Sequence, residues 1–301
     1  MLTTDDPRRE LLEAIDLLPH RQQHEREAIR AWLDALPAPK AVHIGQGAQW
    51  PDLALAAAIT LDQQRLTLRA AGATYRMAGA TRSFLHQAGG AEGELLAMEG
   101  VLKDLDPIVL GSWLEVGPQG VDGGWFLPAP CDLQEVLALL PACEARDGIL
   151  AWARAQNIDQ CLGLRRSVNA SAPYTELTLP LADGDALQQV TSLLLLFELL
   201  EVPIPSANLR RALLREVDTP LAISAWLLPE GLAQLAVLVQ QPSETLLQFG
   251  AQLVGAQLGN LQPFLRACDV ENAPTMLELA RTAENWVAEL HVELREHEPP
   301  N

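Results

Sequence analysis

The chain has 301 residues, 49% of them hydrophobic and 20% charged, a composition that can bury a core and excludes a disordered tail. Its 39 acidic side chains outnumber 21 basic ones, and the resulting formal charge of −18 disfavours nucleic-acid and anionic-membrane partners. The longest apolar run, Leu193–Leu200, contains a glutamate and is far short of the ~20 residues of a spanning helix, and no signal-like segment opens the chain, so a cytoplasmic protein without membrane insertion is expected.

Asp6-Pro7 reads as an N-cap and first helical position, and the stripes Leu11/Ile15/Leu18 and Ile29/Leu33/Leu36 predict one or two helices over 8–36. AVHIGQG from Ala41, then ALAAAITLDQQRLTLRAAG, read as strands, the latter a hairpin turning at Asp62-Gln63-Gln64. A helix follows over Glu92–Leu105, then a second hairpin, IVLGSWLEV and GGWFLPA, around Gly117–Gly120, then helix over 132–155. LGLRRSV pairs with YTELTLPLA, Asp183–Asp185 caps a helix over 185–201, a short helix lies near 206–215, and LAISAWLL pairs with LAQLAVLVQ across Pro229-Glu230-Gly231. After Ser243 the pattern reads as helix to the end, broken near Pro263 and restarted at Pro274, with Leu277, Ala280, Val287, Leu290 and Leu294 on its packing side.

The second half repeats the first. Arg65–Leu68 aligns with Glu176–Leu179 at an offset of 176 − 65 = 111, and Trp113 aligns with Trp226 at 226 − 113 = 113. A period this long fits a duplicated small domain better than a solenoid. The expected fold class is therefore α+β, with two related α-ββ-α-ββ-α modules over 1–156 and 157–301, each an antiparallel sheet packed by helices.

Local motifs for chemistry are sparse. Cys131, Cys143, Cys161 and Cys268 are widely spaced without a CxxC, which fits buried free thiols and no zinc site. His20 and His24 share a helical face but lack an HExxH frame, and Gly45-Gln46-Gly47 lacks the rest of a nucleotide loop. Gly120, Gly123 and Gly124 read as a hairpin connection. Arg165 and Arg166 are adjacent on a strand, so only one of them faces any given ligand. No metal, no cofactor and no catalytic residue is expected. The aromatic strand residues Trp113 and Trp226, with Trp125 on the strand facing Trp113, read either as core or as an apolar surface for a peptide.

The α-ββ-α-ββ-α order, with Leu193–Leu200, the hairpin Ala222–Gln240, Gly111–Val116 through Trp125–Leu127, and AENWVAEL, resembles the class I type III secretion chaperones (the Tir-chaperone family). The resemblance implies a non-enzymatic, cytosolic protein, here a tandem fusion acting as a monomeric pseudo-dimer or a homodimer. It would capture an apolar segment of a protein client, such as a secreted effector, on sheet edges and in apolar grooves. Leu66, Leu68, Trp113, Leu177, Leu179 and Trp226 would be the client contacts. The same element order is also similar to the soluble aromatic prenyltransferases, through the Ile158–Leu181 hairpin and the helix ending ELLEVPIP. That family implies one barrel of successive α-β-β-α units using an isoprenyl diphosphate. Its repeat should be about half the spacing seen here, and its lumen calls for cations and aromatic walls. This chain has two lysines (Lys40, Lys103), two tyrosines (Tyr75, Tyr174) and 5% aromatic residues.

Overall fold

Leucine alternates with polar or small residues along most of the strands, so each strand presents one apolar face and one mixed face. In the computed structural model, which describes residues 7–18, 22–37, 53–87, 92–128, 130–168, 173–181, 184–216, 221–268 and 275–294, these strands form five antiparallel hairpins separated by helices. After helices α1 (Pro7–Asp16) and α2 (Gln23–Ala35) come β1 (Ala54–Thr60) and β2 (Leu66–Ala73), then α3 (Thr74–Gln87) and α4 (Glu92–Asp104). The second hairpin is β3 (Val109–Gly117) and β4 (Gly120–Leu127). It is followed by β5 (Cys131–Asp132), α5 (Leu133–Val136), α6 (Glu144–Ala155) and β6 (Gln160–Cys161). The third is β7 (Gly163–Ser167) and β8 (Thr175–Pro180), followed by α7 (Ala186–Leu199) and α8 (Ala207–Leu213). The fourth is β9 (Leu221–Leu228) and β10 (Gly231–Gln240), followed by α9 (Glu244–Leu253) and α10 (Gln262–Ala267), and β11 (Thr275–Thr282) with β12 (Trp286–Leu294) completes the set.

The five hairpins close on one another in the order β1-β12-β11-β10-β9-β8-β7-β4-β3-β2, a single antiparallel barrel; β5 and β6 form a separate two-stranded ladder. The two-module α+β fold is thereby overturned. Strands from both sides of Gln156 belong to the same barrel, and that residue merely ends α6 ahead of Asn157, whose φ is 57. The repeat itself has a different basis. Hairpins begin at Ala54, Val109, Gly163, Leu221 and Thr275, so successive starts lie 54 to 58 residues apart (163 − 109 = 54, 221 − 163 = 58). The offset of 111 to 113 spans two such steps.

The principal core is the layer between the barrel's outer face and the helices. Leu66, Leu68, Leu114, Leu177, Leu179, Leu227 and Leu277 meet Trp32, Met77, Leu85, Ile149, Leu193, Phe197 and Phe264 there, all of them buried. Two indoles in this layer find partners: Trp32 Nε1 donates to Ser112 Oγ at 3.1 Å, and Trp152 Nε1 to the Ser192 carbonyl at 3.1 Å.

The terminal helix expected after Pro274 is instead the hairpin β11–β12. Leu277 and Leu279 alternate with Glu278 and Ala280, a period of two in which the glutamate is buried on the opposite face from the leucines. Helix α3 was hidden behind the strand pattern that precedes it. The expected strand at Ala41–Gly47 lies outside the described residues, as do Asp6, His20 and Lys40.

Candidate functional site in the barrel lumen

Closure gives the mixed face of every strand to a common interior. Contacts between strands that are not neighbours in the barrel identify that interior directly: Arg65, just before β2, lies against Trp226 on β9, and Trp113 on β3 against Tyr174 beside β8. Two clusters occupy it.

The first is built on Arg165 of β7. Its register partner Glu176 on β8 forms an ion pair with it, and Ser224 Oγ donates to the same carboxylate at 2.7 Å. The Arg165 guanidinium carbon sits 4.7 Å from the ring centre of Trp113, 5.2 Å from that of Trp226 and 5.8 Å from that of Tyr174. Tyr174 and Trp226 stack at 4.6 Å with only 5° between their planes. The cation is thus boxed by aromatic faces, an arrangement attractive through each ring's quadrupole. Arg165 Nη1, the Tyr174 hydroxyl and Trp226 Nε1 have no hydrogen-bond partner among the described residues. Arg166, one residue on, points outward to Glu94 at 2.8 Å and to the Leu139 carbonyl, as strand alternation requires.

The second cluster surrounds Arg65. Its Nη2 is 3.0 Å from Glu289 of β12, and its Nε is 3.7 Å from Glu115 of β3. Thr67 Oγ1 lies 3.2 Å from Glu115 and 3.3 Å from Glu289, bridging the two carboxylates. The contacts to Glu289 cross β1, on which Thr60 is the register partner of Glu289 and Ala58 that of Thr67. The two carboxyls titrate in opposite directions. Burial raises both, but Arg65, helped by His291, Arg165 and Arg69, brings Glu289 down to about 2, while Glu115 stays above the ordinary range because the arginines offset its burial only in part. Environments that split a carboxyl pair in this way suit one member to hold a proton and the other to remain ionised.

Charge elsewhere in the lumen follows the same physics. Glu176 is pushed up by burial, yet Arg165 and Arg69 outweigh this and hold it below the usual carboxylate range. Burial raises Asp122 despite hydrogen bonds from Gly123 and Ser167, and raises the Tyr174 hydroxyl so far that it stays a neutral phenol. Glu278, Glu289 and His291 are buried with their ligand atoms within 4.8 Å of one another. This trio has the composition of a divalent-metal site, but its acceptors are already used: Gln234 and His291 hold the two oxygens of Glu278 at 3.1 and 3.0 Å, and Arg65 holds Glu289.

Glu289 yields a pH prediction. Its folded-state value lies below the unfolded one, so the stability it contributes is present above about pH 5 and is lost as pH falls toward 2. Urea midpoints measured from pH 6 to pH 3 should fall, and Glu289→Gln should flatten that fall.

The expected client contacts separate into two groups. Leu66, Leu68, Leu177 and Leu179 are fully buried beneath helices on the outer face, whereas Trp113 and Trp226 project into the lumen. Trp125 lies on β4, the strand that faces Trp113, where it pairs with Ser112 and points outward. Gly120, with φ 113, sits at the tight turn, while Gly123 and Gly124 lie within β4. His24 is exposed on α2, and Gly45–Gly47 lie outside the described residues. Sequence reasoning missed Arg65, Glu115, Tyr174, Glu176, Glu278, Glu289 and His291 as a group. The available signal was charge alternating with leucine in RLTLR, TELTL and LELAR, a pattern for a strand buried on both faces.

The fold is that of the aromatic prenyltransferase barrels. The chain overlays the prenyltransferase PriB with a TM-score of 0.64 at 13% identity, covering 98% of this chain and 97% of that one. It overlays a 6-dimethylallyl tryptophan synthase at 0.62 and 13% identity (100% and 99% covered) and the NotF prenyltransferase at 0.65 and 8% identity (98% and 96% covered). In sequence it is 24% identical over 246 residues to a PH domain-containing protein of Dictyostelium discoideum; the match covers 79% of this chain and spans about half, 53%, of that relative. No family model matches the chain. The chaperone and type III secretion assignments are overturned, because the closed barrel takes the place of separate sheet modules and its ten strands leave no unpaired edge for a client segment. Among the described residues no helix is long and apolar enough to cross a membrane.

Proposed function

We propose that the lumen binds an isoprenyl diphosphate beside an aromatic acceptor and transfers the prenyl group between them. The observation that carries this reading is the convergence of Trp113, Tyr174 and Trp226 with Arg65 and Arg165 inside one closed barrel. Breaking the allylic C–O bond leaves an allylic cation and a diphosphate. Aromatic faces stabilise the first and arginine donors the second. The acceptor ring attacks the cation at carbon, and the proton then lost from that ring passes to Glu115, the lumen carboxyl whose affinity for a proton is raised. The stacked Tyr174–Trp226 pair offers a flat wall for the acceptor.

Five carboxylates (Glu115, Asp122, Glu176, Glu278, Glu289) face three arginines (Arg65, Arg69, Arg165) among the described lumen residues, so the diphosphate is expected to enter as its magnesium complex. Melting curves with dimethylallyl diphosphate, with and without magnesium, test the binding step. Saturating ligand should raise Tm by about 5 °C or more. Mass spectrometry with indole and phenol acceptors tests transfer, and Trp226→Ala should lower product formation at least about tenfold. Absence of both stabilisation and prenylated product would refute the assignment.

A further inference from the structure

Cys131 and Cys161 are 30 positions apart (161 − 131 = 30) yet stand directly opposite each other in the β5–β6 ladder. Facing residues of an antiparallel pair have Cβ atoms ~4.5–5.5 Å apart, close to what a disulfide spans. The ladder is fixed on both sides: the Leu133 amide donates to the Asp159 carbonyl at 2.8 Å, and Asp132 caps α5 by accepting from the Gln134 amide at 2.7 Å. Cys161 is buried and Cys131 is half-buried, so Cys131 is the member of the pair on the solvent side. The other two thiols are placed differently. Cys143 is the residue before α6, and Cys268 is buried at the end of α10.

We propose that Cys131 and Cys161 form a dithiol that closes to a disulfide on meeting a small disulfide such as oxidised glutathione, tying the entry of α5 to the exit of α6. The Cys131 thiolate attacks one glutathione sulfur, the glutathione S–S bond breaks, and the first glutathione leaves as a thiolate. Cys161 then attacks Cys131 of the mixed disulfide, and the second glutathione leaves. The two protons of the protein thiols end on the two glutathiones, the protein pair loses two electrons, and the glutathione disulfide gains them. The hydrogen bond from the Cys161 thiol lowers the pKa of Cys131, which favours it as the attacking sulfur. This inference does not depend on prenyl transfer.

The test incubates the full chain with a graded reduced-to-oxidised glutathione series, counts free thiols under denaturing conditions, and maps cross-linked peptides by mass spectrometry. The expected result is a fall from four free thiols to two, with the bridge at Cys131–Cys161, reversed by dithiothreitol. Cys131→Ser and Cys161→Ser should each abolish the bridge, and Cys143→Ser should leave it intact; the half-buried Cys131→Ser serves if the buried substitution fails to fold. Four free thiols at every ratio, glutathione retained on Cys131, or a bridge involving Cys143 or Cys268 would each overturn it.

Discussion

Replacing Arg165 with methionine is expected to destabilise the protein by about 3–5 kcal/mol, read from equilibrium urea unfolding. Arg165 and Glu176 are 6% and 5% exposed and form an ion pair, so the substitution leaves a buried carboxylate without its first charge partner, supported by the Ser224 hydroxyl and the field of Arg69 and His291. It also removes the cation held against three aromatic rings. The cost comes chiefly from the orphaned charge, so removing both charges should recover most of it. Arg165→Met combined with Glu176→Gln is expected to be more stable than Arg165→Met alone, which a double-mutant cycle measures directly. A single variant within about 1 kcal/mol of the parent would show that water reaches Glu176 and that the lumen is wetter than its burial implies.

What was legible in the sequence was local. The four hairpins from Ala54 to Gln240 and the capped helix after Asp185 follow from alternation, turn residues and an N-cap whose side chain does accept from the Gln188 amide. What was not legible was closure. A hairpin in one of two sheets and a hairpin in one barrel carry the same pattern of outward leucines; only the fate of the other face differs. That face bears Arg65, Glu115, Arg165, Glu176, Glu278 and Glu289, and charge at alternate positions ordinarily marks solvent. Here the solvent side is replaced by a lumen in which opposite charges neutralise one another in pairs. Glu278 and Glu289 carry the same ambiguity in β11–β12: read as surface charges they let the leucine spacing fit a helix, whereas their burial belongs to a strand with two covered faces. The halved repeat was equally hidden: adjacent hairpins share few side chains, whereas the second and fourth share a tryptophan directed into the same aromatic box, so alignment found the longer period.

The lumen's polarity also bears on the proposed chemistry. Arginine side chains tied into ion pairs remain charged, and their unused donors stay available to an incoming anion: Arg165 Nη1 is buried without a partner although the group is paired through Glu176. The ion pairs therefore preorganise the donors more than they consume them, fixing a guanidinium in place so that little reorganisation remains when charge develops on a leaving group. Breaking one pair should cost stability and turnover together.

Gly124→Ala is expected to be at least as damaging, with a loss of about 3 kcal/mol or more and a fall in soluble yield, because its Cβ has nowhere to go. Gly124 sits on β4 between Trp113 and Ser167 in register, and the Trp113 indole crosses over it to donate from Nε1 to the Arg166 carbonyl on β7 at 3.1 Å. A Cβ at this position would lie 1.8 Å from that carbonyl oxygen and 2.5 Å from the indole nitrogen. Backbone cannot swing aside as a side chain can. The strand pair it would force apart, β4–β7, is held by only four register pairs, and it is one of the two seams, with β1–β12, that join the first two hairpins to the rest of the barrel. Gly111→Ala provides the contrast. The atoms nearest its Cβ belong to the Phe126 ring, a side chain that can shift where backbone cannot, and its cost should be smaller. Gly79→Ala, on α3 with nothing within 4 Å, should stabilise the chain by up to about 1 kcal/mol through helix propensity. Melting temperatures in the order Gly79→Ala, parent, Gly111→Ala, Gly124→Ala are the expected ranking, and a Gly124→Ala protein that melts with the parent would mean that Trp113 does not bridge β4 to reach β7.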